Sequence, residues 1–99
     1  MFKKSPFIKL NYNKQGLIYF ICKDYKNQPN RVQEKICNKC FEIGEQCYQP
    51  LFELMTSNKG IDTIAKEFYI DKSSLYRLRK RFFESWDNEN SSKSKVAHN

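Results

Sequence analysis

The chain has 99 residues, a net charge of +7 and a pI near 9.3, which suits one modest core and excludes a large catalytic architecture. A positive balance of this size favours an acidic partner, of which nucleic acid is the commonest. No stretch nears the roughly 20 apolar residues that span a bilayer, and the apolar run 17–22 is too short for a signal-peptide core, so a cytoplasmic protein without membrane contact is expected. The charge is unevenly placed. Residues 1–36 carry eight Lys or Arg against two acids, residues 37–70 three against five, and residues 71–99 seven against four. Two basic zones therefore flank an acidic middle.

Residues 1–13 are irregular, with Lys3, Lys4 and Lys9 interleaved among Phe2, Phe7, Ile8 and Leu10, and Pro6 interrupting any helix. They form either a basic arm along a phosphate track or a frayed terminus that packs Phe7 or Leu10 on the core. Residues 15–27 place Leu17, Ile18, Phe20, Ile21 and Tyr25 on a broad apolar surface. A buried helix is expected there, although the β-branched and aromatic run LIYFIC also suits a short strand. Gln28, Pro29 and Asn30 break it, with Pro29 or Asn30 starting the next helix. That helix, 30–43, carries Val32, Ile36, Cys40 and Ile43 on one face, and Gly44 is placed to end it as a left-handed cap. A third helix over 45–57 turns Cys47, Tyr48, Leu51, Phe52, Leu54 and Met55 inward; Pro50 makes it start near Gln49 or kink. Ser57, Asn58, Lys59 and Gly60 form a turn cluster.

After that cluster, Ile61, Ile64, Ala65 and Phe68 recur at helical spacing, and Leu75, Leu78 and Phe82 do so again beyond a break at Tyr69, Ile70 and Asp71. Asp71 and Ser73 are both competent N-caps for the second of these helices, expected over 72–86. Phe83 and Trp86 are expected to end it by packing back on the N-terminal helices. The polar stretch 87–99 is expected to be a disordered tail. The whole is then all-α, a compact bundle of about five helices, divided into an N-terminal unit 1–57 for packing and dimerisation, a helix pair within 58–86, and the tail.

The helix pair resembles the helix-turn-helix DNA-binding family. Ile64, Ala65, Ile70, Leu75 and Leu78 stand where that family carries an aliphatic residue followed by a small one, an apolar residue that closes the turn, and two apolar residues that fix the second helix. Where the family usually has glycine stands Tyr69, which must accept a left-handed conformation or use a different turn. The resemblance implies that the helix 72–86 lies in a major groove with its N-terminal residues against base edges. Between Lys72 and Arg81 there are five basic residues and no acidic ones. Arg77 is the candidate for bidentate contact to guanine, Ser73, Ser74 and Tyr76 for bases or phosphates, and Lys80 and Arg81 for phosphates, with Lys72 and Arg79 flanking. More loosely, the chain resembles phage or mobile-element transcriptional regulators with a promoter-reading end like that of sigma factors. The resemblance implies double-stranded DNA as partner and a homodimer on paired half-sites. Two rivals are a module that binds a protein such as RNA polymerase, and an accessory factor in mobile-element replication or recombination.

Cys22, Cys37, Cys40 and Cys47 include one CxxC pair. Four thiolates can hold structural zinc, but this pair lies within a helical pattern and lacks a second close pair, so reduced free thiols are expected and no metal. A redox CxxC belongs at a helix N-terminus after a strand, which this is not. His98 is the only histidine, and no nucleophile, base and orienting group stand together, so neither catalysis nor a cofactor is expected. Tyr19, Tyr48 and Tyr69 are expected to pack between helices rather than stack on bases.

Overall fold

Asn11 opens the first helix, its side chain accepting from the Lys14 amide at 2.8 Å and so satisfying one orphan donor of the first turn. The start therefore falls three residues before Gln15, and the run LIYFIC is helical. The computed structural model describes residues 4–96, with side chains described as far as Asp87. Its elements are α1 (Tyr12–Lys23), α2 (Asn30–Gly44), α3 (Tyr48–Thr56), α4 (Ile61–Phe68) and α5 (Lys72–Val96), with 3-10 turns at Tyr25–Asn27 and Glu45–Cys47. The described chain is all-α. Lys3 and His98 lie outside the described residues, as does the last part of the expected tail. Helix α5 runs past Trp86 to Val96 because neither Gly nor Pro follows Gly60 to break it. Among the described residues no helix is long and apolar enough to cross a membrane.

Of the two junctions that flank the 3-10 turn 45–47, one differs from the sequence expectation for a local reason. Gly44 stays helical at φ −83°, and the positive φ of 49° falls instead on Glu45. The glycine stands one residue too early for the strained position. Glu45→Gly is expected to raise stability by about 1 kcal/mol by relieving that conformation. A Cβ at Gly44 would meet Leu51 and Tyr48 only at ordinary contact distances of 3.5–3.6 Å. Adding Gly44→Ala should contribute about a further 0.4–1 kcal/mol, and urea midpoints of the single and double variants check both. At the other junction Pro50 is the third residue of α3, where its missing N–H is one of the orphans anyway, so the helix is entered at Tyr48 without a break inside it.

The large core draws on the N-terminal segment and on every helix but α4. Ile8, Ile18, Cys22, Ile36, Cys40, Ile43, Leu51 and Met55 meet Phe82, Phe83 and Trp86 of α5 in one cluster. The boundary at 57/58 therefore divides the chain but not its core. On α1 the buried set is Gln15, Gly16, Ile18 and Cys22, while Leu17 and Phe20 are exposed at 62% and 58%. The broad apolar surface expected there is thus split between core and solvent. Gln15 is the residue that sequence pattern misses. Its Nε2 donates to the carbonyls of Leu10 at 2.9 Å, Ser5 at 3.1 Å and Ile8 at 3.3 Å, while its Oε1 accepts from the Ser5 amide at 2.9 Å. These bonds hold the N-terminal segment so that Ile8 enters the core; Phe7 points outward and Leu10 is half-buried.

A smaller cluster sits beside the first. Leu54 of α3, Ile64 of α4 and Leu75 of α5 are buried together, with Ile61, Ala65, Phe68 and Ile70 packed around them. Each fully buried aliphatic side chain contributes about 1.5–3 kcal/mol, so this cluster is what fixes α4 on α5.

Candidate nucleic-acid interface

The connection between α4 and α5 is a left-handed turn. Tyr69 adopts φ 54°, ψ 47°, and the Ile70 amide reaches back to the Ala65 carbonyl at 3.0 Å, closing the helix end in the manner of a Schellman cap. Ile70, apolar and next in sequence, then drops into the small cluster. Helix α5 begins at once, with the Leu75 amide on the Asp71 carbonyl at 3.2 Å. Tyr69 itself is 96% exposed, which corrects the expectation that it packs between helices. A non-glycine residue in this conformation costs about 1–2 kcal/mol, and no burial offsets it. Tyr69→Gly is therefore expected to raise the unfolding midpoint, by up to about 1 kcal/mol after the unfolded-state entropy of glycine is counted, in a urea titration.

Burial of Leu75, Phe82, Phe83 and Trp86 orients α5. The opposite face carries Ser73, Arg77 and Arg81, spaced four residues apart and all exposed, beside an exposed Tyr76. Ser74 and Lys80 are half-buried at the margins of this face. Among the described residues no carboxylate pairs with Arg77, Lys80 or Arg81. Lys72 differs: its Nζ lies 2.8 Å from Asp62 of α4. That hydrogen bond raises the lysine pKa and lowers that of the aspartate, so this cation is partly neutralised at home.

The cationic stretch has a defined end. Glu84 accepts from the Lys9 amide at 3.0 Å, and Asp87 pairs with Lys14 at 3.3 Å, where the N-terminal segment docks along α5. The open face therefore covers the first three turns of the helix. Arg79, expected as a flanking residue, turns inward instead, half-buried with its guanidinium 6.0 Å from the ring centres of Tyr76 and Phe83. Lys23, which sequence pattern did not single out, reaches from α1 to the carbonyls of Leu54 at 3.1 Å and of Ser57, placing a cation at the C-terminal end of α3. Lys39 is more deeply buried than Lys23, 3% exposed, with Nζ 3.1 Å from Ser85 Oγ and 3.5 Å from Glu42. Its position three residues after Ile36 and four before Ile43 puts it on the apolar stripe, a signal the helical spacing contains.

All four cysteines are free thiols, Cys22 and Cys40 buried, Cys37 and Cys47 half-buried. Burial pushes the Cys22 and Cys40 thiols up to about 12, so both stay protonated at neutral pH. Cys37 Sγ lies 3.3 Å from the Tyr25 hydroxyl. Among the described residues no three His, Cys, Asp or Glu are grouped to hold a metal ion. Comparison of the chain with protein-family models, curated proteins and solved structures finds no match.

Proposed function

We propose that this chain is a sequence-specific double-stranded-DNA-binding transcriptional regulator of phage or mobile-element type, with α4 and α5 as a helix-turn-helix. The observation that carries the reading is the open cationic face of α5, in which Arg77, Lys80 and Arg81 have no carboxylate partner among the described residues while the opposite face is locked into both cores. A helix held this way presents the same side chains to every duplex it meets, which base readout requires. Arg77 takes the base-reading role, with Ser73, Ser74 and Tyr76 beside it. Lys80 and Arg81 contact phosphates, and Lys72 does so once Asp62 releases it. The exposed Leu17, Phe20 and Phe41 support a homodimer formed through the N-terminal unit, since apolar side chains left in water favour association.

A protein partner such as RNA polymerase is the second reading. Its support is an apolar groove of about 480 Å³ between α2, α3 and α4, where exposed Phe41 stacks on Tyr48 at 4.3 Å between ring centroids. A salt titration separates the two. DNA binding through several phosphates gives a log–log slope of about −0.9 per contact, followed by fluorescence anisotropy on duplexes selected from a random pool. If the isolated chain binds no duplex at low salt, the DNA reading fails and the protein partner is left.

A further inference from the structure

Helices α1, α3, α4 and α5 enclose a hollow of about 220 Å³ on the flank of α5. Arg79 and Lys23 both line it, and no acidic residue does. Arg79 is half-buried and, among the described residues, has no carboxylate partner. The ammonium of Lys23 meets two backbone carbonyls and lies 5.4 Å from the Tyr19 ring centre, again with no carboxylate. A third cation, Lys59, is already held by Glu67 at 3.0 Å and Glu53 at 3.5 Å, so it adds little net charge. The hollow thus gathers two half-buried cations with no carboxylate partner among the described residues, an arrangement that an anion between them would stabilise. Burial lowers the pKa of both, and Arg79 is itself among the causes for Lys23.

The rest of the lining says what kind of anion fits. Ile61 and the rings of Tyr19 and Tyr76 supply the accessible apolar surface, over a floor closed by the buried Leu54, Met55 and Phe83. Inorganic phosphate or a backbone phosphodiester has no use for that apolar wall. A carboxylate with a short apolar body uses both halves: the guanidinium fork matches a carboxylate bidentately, and the body covers Ile61 and the Tyr76 ring. The volume lies below the roughly 300–1,000 Å³ of drug-sized sites, so the ligand is small. We propose that this hollow binds a small organic carboxylate, its head on Arg79 and Lys23 and its body against Ile61 and Tyr76. The inference is independent of DNA binding and is tested without it.

The test is an NMR titration of the full chain with sodium benzoate, ionic strength held constant with chloride, and a parallel titration with sodium phosphate. Saturable shifts of the Gly60 and Ile61 amides and of the Arg79 Nε–H are expected with benzoate, with phosphate weaker. Arg79→Gln should weaken benzoate at least about tenfold, the loss of one charge-assisted bond. Should that variant fold poorly, the thermal midpoint of the unaltered chain carries the test: benzoate raises it and chloride at equal ionic strength does not. Absence of saturable shifts, phosphate binding as tightly as benzoate, or benzoate affinity unchanged in a folded Arg79→Gln each overturns the proposal.

Discussion

Phe82→Ala is expected to lower the free energy of unfolding by about 3–5 kcal/mol, the usual cost of emptying a fully buried aromatic site. Phe82 is fully buried and stacks on Trp86 with ring centroids 5.8 Å apart, in the cluster that joins α1, α2, α3 and the N-terminal segment. A domain of this size has about 5–15 kcal/mol in all, so the variant sits near the threshold of folding. A companion change distinguishes one cooperative unit from two. Ile64→Ala, at a fully buried site in the smaller cluster, should cost about 2–5 kcal/mol. Trp86, the single tryptophan, reports on the larger cluster. Because α5 places Leu75 in one cluster and Phe82, Phe83 and Trp86 in the other, Ile64→Ala is expected to move the urea midpoint seen by Trp86 fluorescence together with that seen by circular dichroism. A Trp86 transition that stays put while helicity is lost earlier would mean that the smaller cluster around Ile64 unfolds separately from the larger one around Trp86.

The same helix explains what could be read from the residues and what could not. Ile36, Cys40 and Ile43, or Leu75 and Phe82, recur at a spacing that only a helix turns to one side, and all are buried. The break at Tyr69 was legible because two apolar registers fail to join across it; the left-handed conformation of Tyr69 was one of two options, since φ depends on where α4 and α5 must meet. The N-terminal segment was legible only in part: Leu10 packs against the core as one reading expected, but the entry of Ile8 was not foreseen. Ile8 enters the core because Gln15 binds three carbonyls at once, and a glutamine in a helix gives no sign of having such partners. Glu45 shows a similar limit: glycine is the usual left-handed cap, but the chain turns where α2 has to reach α3, one residue later. The candidate face on α5 was legible as chemistry from the run of cations. Which of them are spoken for was not, because Asp62 meets Lys72, and Arg79 is drawn into a hollow, only after α4 and α1 are packed.

Arg77→Ala is expected to cost about 1–3 kcal/mol on a selected duplex and to relax base preference, whereas Lys80→Ala weakens all sequences alike and lowers the salt slope by about 1. Arg77 is exposed and, among the described residues, unpaired, so its truncation leaves both cores untouched and any change in affinity reports on the interface. Lys72 supplies an internal control. Its charge is shared with Asp62 at 2.8 Å, so Lys72→Ala should lose less than Lys80→Ala, and Asp62→Asn should gain affinity by freeing the lysine and removing a negative charge from the DNA side. Competition anisotropy against matched and scrambled duplexes at two salt concentrations measures all four variants. Should Arg77→Ala and Lys80→Ala hold the selected site as tightly as the parent, the groove face is misassigned. Should Arg77→Ala instead lose equally on matched and scrambled duplexes, Arg77 is a phosphate contact, and base readout must come from Ser73, Ser74 or Tyr76, one turn nearer the start of α5.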